Sequence, residues 1–477
     1  MPSGRLTLWR PRSPYGAWSR DVRTPAANPR QHLRDVIDHG GTAHRPAWLG
    51  ASFLLPASQR TGRAGRPEIG AGLARWFDRH ESLRSLLRYD GAGLRLRTLP
   101  PRSVTVEPEV VGEFGGSGAV RRRIEDFFDA ATDPRTWPYT VFATVEGPDG
   151  CRLFFAGDHS VLDCYSMASA AREIRALVAG RTLPGPPPAS YLDYGPQEHS
   201  HGAEAVRGAA YQAAVSAWKE YAALTRDGCH PAFPEDAGPE PPRQVSGHGR
   251  LLGPSAAARF AEAARGAGGS SFSGALAAVG TALTQVTGVS EAPAAVLMHT
   301  RSERWRGCLG WFTGLHPLTL GSARGSSFGS AVRGVHASLR TAPQVARVPL
   351  PHVEAALGLP LPLRFVVSYV DLRRLPGAAD WPAWENRLLR SRAPDADEFY
   401  VWLTRTHEGL HLSCRFPATP GWRRTLAAFR DALTAALSAA ATPDVPDVPD
   451  LPEVPAVPSL ASVPTAPSAS RPSEVTQ

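Results

Sequence analysis

A chain of 477 residues, 42% apolar and 20% charged, is long enough for two or three domains and has a globular composition; it contains no apolar run of bilayer-spanning length, so no membrane span is expected. The net charge of +8 is almost wholly arginine, since Lys219 is the only lysine, and it forms neither a basic block nor a nucleic-acid motif, so DNA and RNA are not expected partners. Cys151, Cys164, Cys229, Cys308 and Cys414 are odd in number, far apart and without a Cys-x-x-Cys pair, which argues against a disulfide framework or a zinc site and fits a reduced compartment.

Residues 1–23 mix Arg, Pro and Trp without an apolar core and do not read as a secretory signal, so a cytoplasmic location is expected. Residues 1–44 are Pro- and Arg-rich and poorly periodic, and read as an N-terminal extension to a globular region starting near Trp48. Residues 69–88 read as a helix followed by a strand, with Arg79-His80-Glu81-Ser82-Leu83-Arg84 at the junction, and 120–128 as a short charged segment with an apolar edge. Residues 139–145 alternate as a strand, 146–150 have turn composition, and 151–156 form the partner strand, so a hairpin presents His159 at its exit. Over 166–178 the period becomes helical: Met167, Ala171, Ile174, Leu177 and Val178 share a face, and Gly180 is a stop signal.

The Pro-rich stretch 184–188 is a stiff break suited to a linker between lobes. Helices are expected over 211–224, 256–267 and 272–286, with Gly268-Gly269-Ser270-Ser271 as cap chemistry between the last two. Strands are expected over 294–299, 363–370, 399–403 and 410–416, and an amphipathic helix over 422–440. The Pro-Asp-Val repeats that follow cannot bury enough apolar surface to fold and are expected to be disordered. The expected organisation is therefore an extension over 1–44, an N-terminal lobe over 45–183, a linker over 184–198, a C-terminal lobe over 199–441 and a disordered tail over 442–477.

The chemistry concentrates in Asp158-His159-Ser160-Val161-Leu162-Asp163-Cys164. A histidine delivered by a strand just ahead of a helix N-terminus is placed to act as a general base, because its ordinary pKa leaves it mostly neutral at pH 7. The positive end of the helix favours an oxyanion nearby. Asp163 has two readings, one orienting His159 and one holding the loop through an arginine. Asp158 beside the base is expected to raise its pKa. His199 and His201 lack a third ligand in sequence, so no metal is expected.

Several separated segments then agree in order. The chain resembles the condensation-domain superfamily of acyltransferases, which includes peptide-synthetase condensation domains, chloramphenicol acetyltransferase-like enzymes and stand-alone polyketide-associated acyltransferases. The family motif His-His-x-x-x-Asp-Gly is met at His159 and Asp163, whereas Asp158 replaces the first histidine and Cys164 the glycine. Arg79-His80-Glu81-Ser82-Leu83-Arg84 resembles the family's helix end. Ser190-Tyr191-Leu192-Asp193-Tyr194 resembles its bridge between lobes. Thr300-Arg301, followed by Leu309-Gly310-Trp311-Phe312-Thr313-Gly314-Leu315-His316-Pro317, resembles a further family element, and Ser368-Tyr369-Val370-Asp371-Leu372-Arg373 resembles a strand of the stand-alone acyltransferases.

The resemblance covers roughly residues 45–440 and implies an α/β fold of two chloramphenicol acetyltransferase-like lobes, a V-shaped pseudo-dimer with a central channel. It implies an enzyme without a bound cofactor, taking an acyl group from CoA or a carrier-protein phosphopantetheine thioester to a small-molecule acceptor. His159 would be the catalytic base, and Asp163 and Arg301 would support the site as a buried bidentate pair. Asp158, Cys164, Trp311, Tyr369 and Asp371 would lie at the channel or the oxyanion. A cysteine at 164 would be strained if the backbone there needs φ > 0, though its N–H could still serve an oxyanion. The resemblance to the stand-alone enzymes favours a hydroxyl acceptor in lipid or secondary metabolism. Two alternatives stay open: an amide-forming condensation enzyme between carrier-bound substrates, and a catalytically silent member that docks carriers.

Overall fold

The computed structural model describes residues 3–38, 47–56, 66–90, 93–148, 150–205, 208–226, 244–321, 326–391 and 398–442. The strands β1 (Gly4–Arg12), β3 (Trp48–Leu54), β6 (Thr105–Phe114), β7 (Thr140–Gly147), β8 (Gly150–Asp158) and β13 (Arg387–Arg390) form an antiparallel sheet in the order β13-β3-β8-β7-β1-β6. A second sheet has the order β11-β10-β12-β14-β15-β9, from β9 (Gln244–Leu252), β10 (Ala292–His299), β11 (Thr313–Leu320), β12 (Phe365–Asp371), β14 (Phe399–Thr406) and β15 (Gly409–Pro417). Its centre is parallel, β10 to β12 to β14, and its flanks are antiparallel. A small third sheet joins β2 (Ser19–Asp21), β4 (Ser85–Asp90) and β5 (Gly93–Thr98).

Each large sheet is covered on both faces; in the first, the central strands β7 and β8 are accordingly buried almost throughout rather than alternating, whereas β14 and β15 of the second keep an alternating pattern. On one face of the first sheet, Phe142, Leu153 and Phe155 pack with Trp76 and Phe77 of α2 (Arg66–Arg79) and Ile174 of α4 (Cys164–Val178). On the other, Leu6, Leu8 and Phe154 pack with Ile124 and Phe128 of α3 (Ser117–Ala131). The second sheet buries Val367 and Leu403 against Leu276, Val279 and Leu283, and on its other face Ala295 and Val366 against Trp218 and Tyr221. The protein is thus a two-lobed α/β molecule. No described helix is long and apolar enough to cross a membrane.

Two expectations about its organisation are corrected. Residues 1–44 are not an extension to the globular part. β1 lies inside the first sheet between β7 and β6, with Trp9 fully buried, and α1 (Ala27–Asp38) follows it. Nor does 199–441 confine itself to the second lobe, because β13 adds an edge strand to the first sheet, pairing Arg387–Arg390 with Ser52–Leu49 of β3. The segment expected as charged at 120–128 is the middle of α3, with Val120, Ile124, Phe127 and Phe128 buried at helical spacing. Cys229 and the expected tail, apart from Thr442, lie outside the described residues.

Candidate active site

The β7–β8 hairpin runs from Gly147 paired with Gly150 up to Thr140 paired with Gly157, and at its exit the chain turns sharply into α4. Gly157 permits the turn, since a Cβ there would come within 2.6 Å of the Leu162 side chain and 2.7 Å of Thr140 Oγ1. The turn is fixed by His159 N donating to Ala47 O at 3.1 Å and Val161 N to Asp158 O at 3.1 Å. Asp163 then caps α4, accepting from Ser166 N and Ser166 Oγ, each at 2.7 Å.

His159 stands between this turn and the second lobe. Its ring stacks on Trp311 with centroids 3.7 Å apart and planes 23° off parallel. Nδ1 is buried with no hydrogen-bond partner beyond the ring's own backbone carbonyl, which favours the charged form. Nε2 makes no hydrogen bond to a described residue. Burial, joined by the charge of His32, lowers the His159 pKa to about 4, against the pull of Asp158 and Asp163. The ring is therefore neutral at pH 7, with a nitrogen free to accept a proton. The indole face against it would stabilise the imidazolium once formed.

Asp163 meets Arg301 from the second lobe. One guanidinium nitrogen donates to Asp163 Oδ1 at 2.8 Å and to Ser166 Oγ at 2.7 Å, so the contact is single-point rather than bidentate. Both side chains are only 4% exposed, so the pair is held away from solvent screening. The other guanidinium nitrogen donates to the carbonyls of Trp305 (2.9 Å) and Cys308, and the ring of Phe312 lies beneath at 4.3 Å. Asp163 Oδ2 accepts from Phe312 N at 3.1 Å. Burial disfavours the carboxylate, but Arg301 and Ser166 outweigh it and hold the Asp163 pKa below its ordinary value. Asp163 makes no hydrogen bond to His159, so the geometry follows the loop-holding reading. It ties the loop that carries Trp311 to the helix that follows His159.

Both departures from the motif are accommodated. Asp158 has a fully buried carboxylate, paired at 3.1 Å with Nε2 of His32 on α1. It also accepts from Ser160 N at 2.8 Å and from Ser160 Oγ. It is an acceptor in a closed pair and therefore cannot donate to an oxyanion. Asp158 does pull the His159 pKa upward, as expected, but burial and the facing His32 charge outweigh it and the net shift is downward. Cys164 carries no strain: it is the first residue of α4, and among the described residues only Arg102 and Glu385 are non-glycines with positive φ. Burial raises its thiol pKa, opposed by Arg390, so it is mostly protonated and a poor nucleophile. At the start of α4 its N–H belongs to the unpaired set of a helix N-terminus.

Tyr369 and Asp371 are not gathered here. Tyr369 stacks on Phe272 at 6.0 Å against the core of the second lobe. Asp371 pairs with Arg373 at 2.6 Å. Their charged neighbours are Arg373 and Arg405, and neither contacts His159, Asp163 or Arg301 among the described residues. The motif at 79–84 holds the site from behind: Glu173 of α4 accepts from Trp76 Nε1 (3.1 Å), Arg79 Nε (3.0 Å) and His80 Nε2 (2.6 Å). Glu81 accepts from Arg23, which also binds Asp193.

His32 and Arg390 were not identified from the sequence. His32 is one of 15 histidines and sits in a segment read as an extension. Its signal was the helix around it, with Pro29 in the first turn and Leu33 buried. Arg390, on the edge strand β13, lies over the Trp402 ring at 4.1 Å and so joins the lobes.

Two sheet-and-helix lobes with a His-x-x-x-Asp turn clamped between them define the build of a condensation-type acyltransferase. Comparison with known proteins agrees. Residues 68–361 match the condensation-domain family. The acyltransferase PapA3 of Mycobacterium tuberculosis (strain H37Rv) is 26% identical over 449 residues, 90% of this chain and 92% of that protein. The 2'-acyl-2-O-sulfo-trehalose (hydroxy)phthioceranyltransferase PapA1 of Mycobacterium bovis (BCG) is 25% identical over 314 residues, covering 63% and 59%. Among solved structures, the PapA2 acyl transferase superposes with a TM-score of 0.76 at 22% identity, over 92% of this chain and 97% of that one. The first condensation domain of the calcium-dependent antibiotic synthetase, with a substrate analogue, does so at 0.67 and 18%, over 88% and 98%. The chain belongs to the condensation-domain family and is an acyltransferase of that type.

Proposed function

We propose that this enzyme transfers an acyl group from a CoA or carrier-protein thioester to a hydroxyl of a lipid or secondary-metabolite acceptor, with His159 as general base. The observation that carries this reading is the state of His159: half-buried, with its pKa lowered to about 4 and Nε2 making no hydrogen bond to a described residue. Nε2 takes the proton of the acceptor hydroxyl as its oxygen attacks the thioester carbonyl. The tetrahedral oxyanion collapses, the C–S bond breaks, and the leaving thiolate takes the proton back from the imidazolium. The products are an ester and a thiol, and His159 is regenerated. No acyl-enzyme is needed, consistent with the protonated state of Cys164. The N-terminus of α4, including the Cys164 N–H, is the nearest source of positive potential for the oxyanion.

The acceptor reading is supported by two adjoining cavities. The smaller, about 90 Å³, is walled by Asn28 and Trp311, the residue stacked on His159. It shares Tyr194, Glu198, Thr300 and Arg347 with a neighbour of about 490 Å³ that adds Gln197 and Gln344. The lining is largely apolar, with Leu297, Leu315, Val348 and Leu350 among it, and its amides, hydroxyls and one charge of each sign can orient the hydroxyls of an acceptor that also carries an apolar body; the relative named as acting on an acylated, sulfated trehalose is consistent with that. Both motif departures are structurally satisfied, so neither favours a silent carrier-docking member.

The test is to incubate the purified protein with acyl-CoA and acyl-carrier donors and with polyol or amine acceptors, following thiol release and product mass. An alkali-labile ester with stoichiometric thiol is expected. An alkali-stable amide alone, or binding of carriers without turnover for any donor, would overturn the reading.

A further inference from the structure

The site contains a histidine–carboxylate pair, His32 and Asp158, that lies off the path of the transferred proton. Asp158 stands where the family has a histidine, and a lone carboxylate buried against the base would attract a proton to it. Here α1 supplies the counter-charge from far along the sequence. His32 Nε2 lies 3.1 Å from Asp158 Oδ2, with side-chain exposures of 12% and 0%. The His32 ring also meets Trp311 edge-on at 5.9 Å, on the residue whose face stacks on His159. α1 is held in place by the segment after the linker and by the second sheet: Ala27 N donates to Glu198 at 2.6 Å, and Asn28 Nδ2 to Thr313 O at 2.7 Å.

We propose that His32 is a positioning residue of the acyl transfer: paired with Asp158, it braces the Trp311–His159 stack and presents a positive charge to the His159 ring. The inference rests on the reading of His159 as the base. The facing groups give its sign. Around His159 stand His32 on α1, Asp158 ending β8 and Asp163 ahead of α4; burial comes first and the His32 charge second in keeping the ring neutral, while the two carboxylates act the other way. Around His32 stand Asp158, Asp35 of α1 and Asp133 beyond α3; burial opposes its charge, but these carboxylates together raise its pKa. Burial likewise opposes the Asp158 carboxylate, and His32 and Ser160 outweigh it. Both shifts run toward the charged forms, so the pair turns its positive member to the base and makes the Asp158 replacement compatible with a neutral His159.

The test is the pH dependence of kcat/KM together with NMR titration of the His159 ring, for the wild type, His32→Gln and the double variant His32→Gln/Asp158→Asn. In His32→Gln the unbalanced carboxylate should move the His159 midpoint up by at least about one pH unit, lowering kcat/KM by about tenfold at pH values below the wild-type midpoint of about 4 while sparing alkaline pH. Removing both charges should restore the wild-type acid limb. A loss that is uniform with pH, with an unmoved His159 titration, would reduce His32 to a structural role and overturn the proposal. A moved titration without a moved rate profile would uphold the coupling and sink the base reading, so the two failures are distinguishable. Should His32→Gln not fold, the wild-type His32 titration decides: a doubly protonated ring at pH 7 is expected, and a neutral one contradicts the proposal.

Discussion

Asp163 shows how much of the site depends on one carboxylate. It caps α4, accepts from Phe312 N and pairs with Arg301, so it fastens the histidine turn to the Trp311 loop. Asp163→Asn would leave Arg301 buried without a counter-charge. A loss of roughly 3–5 kcal/mol is expected, read as a lower denaturant midpoint with unchanged slope; a loss below about 1 kcal/mol would mean that the pair is relaxed in solution. Because the folded pKa of Asp163 lies below the ordinary 3.8, its ionised pairing contributes fully above that value and is lost only as pH falls through the lower folded one. These residues were legible in the sequence because motif order marks them. His32 was not. Its function depends on a contact with Asp158 across 126 positions, and no local pattern distinguishes a histidine facing a buried carboxylate from one facing water.

At the scale of elements, the helix that follows His159 is held by its neighbour. Glu173 on α4 is gripped by Trp76, Arg79 and His80 at the end of α2. Burial raises its pKa, but His80 and Arg79 outweigh burial and bring it to about 2, against an ordinary 4.5. Its stabilising contribution is therefore complete above about pH 4.5 and disappears as pH falls through about 2. In Glu173→Gln the acid-induced fall in Tm should be shallower than in the wild type, from a lower starting value; parallel curves would exclude Glu173 as the titrating group. Helices α2 and α4 and the β7–β8 hairpin were readable because their apolar periods are long and their stop signals clear. β1 was not, because its continuous buried run is just Leu6, Thr7, Leu8 and Trp9 within an arginine-flanked span. Such a short apolar run, buried on both faces, has no alternation to detect.

At the scale of the molecule, the site exists only where the lobes meet. His159, Asp163 and Cys164 come from the first lobe and Arg301 and Trp311 from the second, and β13 crosses back with Arg390 lying over Trp402. Trp402→Ala should cost about 1 kcal/mol from the lost cation–π contact of this half-buried ring, and should lower activity beyond the stability loss; unchanged activity would mean that the lobes are held without it. The two-lobed plan was legible from motif order, whereas the return of β13 was not, since a four-residue edge strand 229 positions beyond the hairpin (Asp158 to Arg387) carries no address for its partner sheet. The central claim is that His159 takes the acceptor proton in a direct transfer, and product formation by wild type and His159→Ala from the same acyl-CoA and acceptor tests it most directly. With both proteins equally folded by circular dichroism, the variant should be slower by roughly 10²–10⁴-fold; equal rates would contradict the mechanism.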